Sequence, residues 1–173
     1  SSHPKLKNIL SSVINNGQFG GCLLVIPGFS SWTVGNLTVS NATFRLAEHG
    51  FYLNVTNDLR ILAGGLSAGG SNGNARIRVG RDLILTNSAS LSMYSGVSTG
   101  GGIGANVEVG RKVLMSPSCW LYPHSHPTNG GSVLLTAGLL TVANGGGINA
   151  NARGYKTAMG PGKGENPTSW HSG

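Results

Sequence analysis

Acidic side chains are scarce in this chain, and their scarcity limits the chemistry that it can perform. Charged residues make up 10% of the 173 residues, and five of them are acidic: Glu48, Asp58, Asp82, Glu108 and Glu165. Glycoside hydrolases and calcium-assisted lyases need several carboxylates close together. Asp58 and Asp82 occupy turn positions, and Glu108 lies between two core valines, so we expect neither activity. The sequence leaves enzymatic activity open and favours a role without catalysis.

Cysteines and long apolar segments are also few. Cys22 and Cys119 belong to no Cys-x-x-Cys pair and to no zinc-binding spacing, so we predict no metal site and no cofactor. Both occupy apolar positions, which favours buried free thiols over a disulfide. The longest apolar run, residues 22–27, is far shorter than the ~18–20 residues of a membrane span. We therefore predict no membrane-spanning segment, and no signal-peptide pattern is present.

The charges that are present are mostly basic. Lysine and arginine number twelve, which gives a formal charge of +7 and favours polyanionic partners. Because the chain has no Lys/Arg-rich run and no nucleic-acid fold signature, we expect no nucleic acid among them. An acidic or sulfated polysaccharide is the partner that this charge favours. A composition rich in Gly, Ser, Asn and Thr further indicates an extracellular protein, secreted or on a cell surface.

Glycine is abundant, at 29 residues, but it lacks the every-third-residue spacing of collagen. It follows short segments of alternating apolar residues, which occur in five similar copies beginning at Trp32, Leu53, Ile77, Val107 and Val133. Self-similarity at roughly 22–30 residues with short strands is typical of a β-solenoid, in which stacked copies cover one another's apolar stripes. We predict an all-β fold, a right-handed parallel β-helix of about five coils.

Aligning the copies predicts three interior rows. The first row is Leu37, Leu59, Leu83, Val113 and Leu140. The second row is Val39, Ile61, Leu85, Met115 and Val142. The third strand of each copy supplies Phe44, Leu46, Leu66, Leu91, Met93, Leu121, Ile148 and Ala150.

The chain divides into three parts by pattern. Residues 1–21 form an N-terminal cap, because apolar residues at helical spacing predict a short amphipathic helix over 5–16. Residues 22–150 form the coils. Residues 151–173 are a glycine-rich C-terminal segment.

Segment 119–127 departs most from the repeat. Alternation places Cys119 and Leu121 inside. The outward positions are Trp120, Tyr122, His124 and His126, with Tyr94 one copy earlier. Aromatic faces stack on pyranose rings, which predicts a carbohydrate-binding surface. The same residues leave open an exposed row packed against another domain, or a metal-free lyase that uses Tyr122 with His124 or His126 as acid and base.

Arginines form a second cluster. Arg76 and Arg78 alternate with core Ile77 and Val79, so both point outward. Arg81 follows in the same copy, with Arg60 and Arg111 in the neighbouring copies. Parallel stacking separates successive coils by ~4.8 Å, so an arginine ladder could hold sulfate or carboxylate groups. A merely solvated basic face is the alternative.

The C-terminal part resembles a known class of proteins. Leu139–Tyr155 contains an Ile148-Asn-Ala150 strand and a Gly154-Tyr155 step, followed by Gly160-Pro-Gly-Lys-Gly164 and His171-Ser-Gly173. This sequence resembles the glycine-rich right-handed β-helix regions of large secreted proteins from environmental bacteria. The resemblance covers residues 139–173. It implies an extracellular polysaccharide context and a module of a longer parent protein with other domains, and it assigns no catalytic residues.

Two classes of function follow from the sequence, with a third kept as an alternative. The first is an extracellular carbohydrate-binding module for an anionic polysaccharide. It uses Trp120, Tyr122, His124, Tyr94, Arg76 and Arg78. The second is a structural or adhesive solenoid that docks or stacks with other protein, and the third is the metal-free lyase.

Overall fold

The structure, a computed structural model, describes residues 12–14, 19–70, 74–97, 103–128, 131–157 and 159. These residues form β-strands and no helix. The strands are β1 Val13–Ile14, β2 Gly20–Leu24, β3 Ser31–Val34, β4 Leu37–Leu46, β5 Tyr52–Val55, β6 Leu59–Ala68, β7 Arg76–Val79, β8 Leu83–Thr86, β9 Ser90–Tyr94, β10 Ile103–Met115, β11 Trp120–His124, β12 Ser132–Val142 and β13 Gly147–Ile148. No helix in this part of the chain is long and apolar enough to cross a membrane.

Every strand pair is parallel, and the chain winds as a β-solenoid of about five turns. Each turn runs over three faces. Face A contains β3, β5, β7 and the first parts of β10 and β12. Face B contains β1, β8, the first halves of β4 and β6, and the last parts of β10 and β12. Face C contains β2, β9, β11, β13 and the second halves of β4 and β6.

Coils 1 to 5 begin with β3, β5, β7, β10 and β12, and β1 and β2 belong to a partial coil before them. The chain turns between faces B and C inside β4 and β6. There Asn41 and Ala63 adopt φ values of 49° and 65°. A left-handed residue at this place bends a continuous strand around a corner.

The predicted interior rows are confirmed by the strand register. Leu37 pairs with Leu59, Leu59 with Leu83 and Leu83 with Val113, and the second row follows the same register. The third row follows it through Phe44, Leu66, Leu91, Leu121 and Ile148, whereas Ala150 lies beyond β13 and is exposed. Leu59, Leu83 and Val113 are each 0% exposed. Inward alternation on three parallel faces thus builds one continuous apolar core along the axis.

The first row does not stay buried to its end. Leu140 pairs with Val113 as predicted, yet it is 44% exposed. It lies in coil 5, beyond which no further coil is found among the described residues. A side chain in a solenoid is covered by its neighbouring coils, so a residue in the last coil loses half of that cover.

The predicted N-terminal helix over 5–16 is not supported. Val13 and Ile14 form β1, which pairs in parallel with Thr38 and Val39. Residues 5–11 and 15–16 lie outside the described residues. Ile14 is fully buried beneath Val39, so an apolar residue placed in the sequence at helical spacing serves here as the inward residue of a partial coil. Pairing with an exposed strand edge overrides the weak helical periodicity of a short segment.

The cysteines agree with the reading as free thiols. Cys119 is buried at the start of face C in coil 4, while Cys22 is half-buried on β2, and both are free. β2 is separated from coil 4 by three intervening coils on this face. At ~4.8 Å per coil, that separation is too large for a disulfide.

Candidate functional site

The segment that departs from the repeat lies on face C with the predicted alternation. Cys119 and Leu121 are 0% and 1% exposed, and Trp120 and Tyr122 lie between and beyond them with partly exposed side chains. The outward aromatics of β11 thus form part of the solenoid surface. What surrounds each ring decides whether it is free to stack on a sugar.

Tyr94 and His124 occupy the same position in neighbouring coils and stack on each other. Their ring centroids are 4.1 Å apart, with 14° between the planes. The guanidinium carbon of Arg45, from coil 1, lies 3.6 Å from the centre of the Tyr94 ring. Two groups at these distances cannot share one side of a ring, so Arg45 and His124 cover opposite faces of Tyr94.

The Arg45 side chain extends from coil 1 to Tyr94 in coil 3, and the coil 2 residue that it passes is a glycine. Gly69 lies between the two coils, and its carbonyl oxygen accepts a hydrogen bond of 2.7 Å from Nε of Arg45. Gly69 has a φ of 99°, and a Cβ there would meet the carbonyl oxygen of Tyr94. A side chain at this position would therefore displace the backbone at Tyr94.

The other side of the stack is closed by Arg153. Its Nε donates to Nε2 of His124 at 3.3 Å, and its guanidinium carbon lies 4.3 Å from the centre of the Tyr122 ring. Asn149 and the carbonyl of Asn151 hold the same guanidinium. We call Arg45, Tyr94, His124, Arg153 and Tyr122 the capped stack. Protein groups cover the Tyr94 ring on both faces and the Tyr122 ring on one face.

The environment of His124 disfavours its cationic form. Partial burial lowers the pKa of the imidazole, and the positive charges of Arg153 and Arg45 lower it further. Each of these effects destabilises an imidazolium. The uncharged ring is therefore favoured, and its Nε2 accepts the hydrogen bond from Arg153.

Trp120 and His126 lie beside the capped stack rather than in it. The Trp120 ring lies against the backbone of Gly147 in coil 5, where an added Cβ would be 3.4 Å from Cζ3 of the indole. His126 follows the end of β11, and its Nδ1 is 3.2 Å from the hydroxyl of Thr128. Within the described ranges, no group of three or more His, Cys, Asp and Glu side chains could hold a metal ion.

The arginines form a second surface that runs from face A over the next corner to the start of face B. Arg76 and Arg78 point outward from β7, and Arg81 lies at the corner of the same coil. The backbone N–H of Arg111 donates to the carbonyl of Arg81, which places the two residues at one corner in successive coils. We call Arg60, Arg76, Arg78, Arg81 and Arg111 the arginine face. It does not meet the capped stack, because the two sets lie on different faces.

Carboxylates lie beneath the arginine face. Asp82 accepts two hydrogen bonds from Arg111, at 3.1 and 3.0 Å, and Asp58 accepts one from Arg60 at 3.2 Å. The side chains of Asp58 and Asp82 are 12% and 9% exposed, against 52–54% for Arg60, Arg81 and Arg111. The carboxylates therefore orient the guanidiniums while the guanidiniums form the surface.

The two aspartates also serve as turn residues, as their positions predict. Asp58 Oδ1 accepts the backbone N–H of Asp82 at 3.4 Å, and the side chain of Asn36 accepts the N–H of Asp58 at 3.3 Å. Each polar side chain thus caps the corner of the next coil. Glu108 is engaged as well, with Arg76 at 2.9 Å. Among the described residues, Arg78 makes no ion pair.

Sequence reasoning missed Arg45 and Arg153. Each is a single arginine outside the arginine cluster. Arg45 could have been found from the register, since it lies one coil before Ser67 on face C and the small residues after it leave a path to Tyr94. Nothing in the sequence around Arg153 indicates that its side chain contacts His124 and Tyr122 in the preceding coil.

Comparison with known proteins adds no family assignment. No protein-family model matches the chain, and no curated protein and no solved structure is significantly similar to it.

Proposed function

We propose that this chain binds an anionic polysaccharide through the arginine face. The observation that carries the proposal is the layering of charge: half-exposed guanidiniums lie over carboxylates that are nearly buried. Because the surface atoms are those of the arginines, an approaching polyanion meets positive charge first. A guanidinium can hold a carboxylate or sulfate group through two parallel hydrogen bonds.

The repeat favours a polymeric ligand. Arg81 and Arg111 lie at the same corner of coils 3 and 4, so they follow one another along the axis at ~4.8 Å. Arg60, from coil 2, lies at the start of face B and bonds Asp58 near the same corner. We infer that the solenoid winds in the right-handed sense, because parallel crossovers strongly prefer it. Each coil then shifts the arginines in the same direction relative to the coil before it. An extended chain with regularly repeated acidic groups can contact several coils at once, whereas a small anion contacts one.

The capped stack changes the role of the aromatic residues in this proposal. Arg45 and His124 cover the two faces of Tyr94, and Arg153 covers one face of Tyr122, so a pyranose could stack on Tyr94 only if one of its covering groups moved. Trp120 stays the best aromatic contact, at the border of face C. We therefore assign recognition of acidic groups to the arginine face, which includes Arg76 and Arg78, and we give Trp120, Tyr94, Tyr122 and His124 a secondary part.

The proposal includes an extracellular location. An acidic or sulfated polysaccharide is an extracellular partner, and the Gly-, Ser- and Asn-rich composition agrees with that compartment. We also propose that the C-terminal part of the chain is related to the glycine-rich β-helix regions of large secreted bacterial proteins.

Charge-matched variants test the arginine face by isothermal titration against a sulfated or uronate-rich polysaccharide and a neutral one. We expect R76Q/R78Q to weaken binding to the acidic polymer about tenfold, because it removes two charge-assisted contacts. Raising the salt from about 0.1 M to about 1 M should shrink the difference between variant and parent. Lys156, exposed near the C-terminal end, provides the control K156Q, which removes one charge elsewhere and should change affinity less than about twofold.

Three outcomes would contradict the proposal. The parent could bind neither polymer, which would favour the structural or adhesive solenoid. K156Q could weaken binding as much as R78Q alone, which would show that affinity depends on the net charge of the protein and not on the position of the arginines. W120A could abolish binding to both polymers while R76Q/R78Q does not, which would place recognition on the aromatic surface of face C.

No observation favours the lyase alternative over binding. A base must have a free lone pair within reach of the substrate proton. Nε2 of His124 already accepts a hydrogen bond from Arg153, and the Tyr122 ring is covered by the same arginine. The docking alternative has separate support in coil 5, where Leu140, Val142 and Ile148 are exposed.

A further inference from the structure

The last described coil leaves its inward apolar residues open. Leu140, Val142 and Ile148 are 44%, 40% and 48% exposed, whereas the residues below them in coil 4 are at most 1% exposed: Val113, Met115 and Leu121. β12 pairs with β10 along one edge and with no other described strand. The backbone groups of its other edge therefore point along the axis without a strand partner in the described part of the chain. We call this surface the open end.

The open end carries no charge. The sequence has no Asp, Glu, Lys, Arg or His from Pro127 to Ala152, although the whole chain carries +7. Natural proteins usually protect a free strand edge with a lysine, a proline or an inward charge. β12 has none of these over its eleven residues. A surface that combines exposed core residues with an unprotected edge is typical of an interface.

The opposite end, which we call the closed end, covers its inward apolar residues better, although β1 and β2 also have a strand partner on one side only among the described residues. Ile14 is 0% exposed and Phe19 is 8% exposed in the partial coil before coil 1. A head-to-tail partner would therefore bring covered apolar residues against exposed ones. Two open ends can bury each other's apolar residues instead, and a contact of one surface with itself gives a two-fold dimer rather than a filament.

Charge also favours a second copy at this place. Two molecules of charge +7 repel each other wherever basic surfaces meet. The arginine face belongs to coils 2 to 4, and the strands of coil 5, β12 and β13, have no charged side chain; the charged residues of that coil, Arg153 and Lys156, follow β13. The strands of the open end therefore bring no like charges together when two copies approach. We propose that two copies of this chain associate end to end through coil 5, with Leu140, Val142 and Ile148 of each copy packed against the same residues of the other.

The molar mass of the full 173-residue chain in solution tests the dimer. By sedimentation velocity or light scattering over about two decades of concentration, we expect a species of twice 17.7 kDa that dissociates on dilution. L140D and I148D should each raise the dissociation constant at least about tenfold, because association would desolvate a carboxylate. Both variants should keep the far-ultraviolet circular dichroism of the parent, since both positions are already partly exposed.

Leu23 provides the matched control. It is 62% exposed on β2, at the closed end, and L23D should dimerise like the parent. A parent that stays monomeric at every concentration would overturn the proposal and would leave the open end to another occupant, such as a further coil or a different protein. Dissociation by L23D as complete as that by L140D would overturn it too. The inference does not depend on the polysaccharide, so L140D should bind it with unchanged affinity per site.

Discussion

The imidazole of His124 lies between the ring of Tyr94 and the guanidinium of Arg153. Burial and the charges of Arg153 and Arg45 lower its pKa in the folded state below the ordinary value of 6.5. The unfolded chain therefore binds a proton more readily than the folded one. By linkage, the stabilisation is complete above about pH 6.5 and is lost as the pH falls through the lower folded pKa.

The lowered pKa of His124 predicts that the stability of the protein falls as the pH falls. The melting temperature of the parent should fall between about pH 7.5 and about pH 5, because protonation of His124 places a cation beside Arg153. H124Q keeps an acceptor for Arg153 but does not titrate, so its melting temperature should fall less over the same interval. Thermal unfolding followed by circular dichroism measures both. H49Q, at an exposed position, should follow the parent. An unchanged pH slope in H124Q would show that the capped stack does not couple to this proton.

At the scale of single elements, glycines determine how closely the coils approach at the corner after face A. A Cβ at Gly80 would meet the carbonyl oxygen of Thr56, and one at Gly110 would meet that of Gly80. Neither contact involves a flexible side chain, so the backbone itself would have to move. The same corner carries Arg81 and Arg111, so the spacing of the arginine face depends on these glycines.

A pair of alanine variants separates this steric clash from the general effect of replacing a glycine by alanine. G80A should lower the free energy of unfolding by about 1–3 kcal/mol, because it overpacks the corner. Gly35 occupies the equivalent place in coil 1, where the nearest atom to an added Cβ is Nδ2 of Asn57 at 3.9 Å. G35A should therefore leave stability unchanged or slightly raised. Urea unfolding of both variants measures the difference, and equal losses would contradict the close approach at Gly80.

At the scale of the whole molecule, position along the axis decides what an interior substitution costs. Leu83 and Leu140 belong to the same interior row, but they are 0% and 44% exposed. L83D would bury an unpaired charge, which costs several kcal/mol against a total stability of ~5–15 kcal/mol, so we expect it to unfold the protein. L140D should stay folded, because water reaches its carboxylate.

Melting temperature and the dispersion of the amide NMR spectrum measure this contrast. A folded L83D variant would mean that the row does not run through the interior. An unfolded L140D variant would mean that coil 5 is as well covered as coil 3, and it would also remove the ground for an open end. The two variants share one chemical change, so the comparison depends on their place in the stack alone.

Several features could be predicted from the sequence because they depend on local alternation. Leu59 and Leu83 fall in register since each copy repeats the same period-two strand at a similar spacing, and Cys119 faces inward for the same reason. The helix over 5–16 was wrong at Val13 and Ile14, where pairing with β4 outweighs a helical pattern. The partners of Tyr94 and His124 could not be predicted, because Arg45 and Arg153 are 49 and 29 residues away from them and reach them only across stacked coils.

The sequence by itself determined the all-β class, the stacking of coils, the interior rows and the outward direction of Arg76, Arg78, Trp120 and Tyr122. These follow from the side-chain period of a strand and from repetition, both of which are local properties of the chain. Only the tertiary structure decided which outward residues meet. It separates the arginines from the aromatic residues, covers the rings with arginines, places Asp58 and Asp82 beneath guanidiniums and leaves Leu140 exposed. Contacts between coils depend on register, on side-chain reach and on which coil is last, and none of these is encoded in the residues adjacent to the contact.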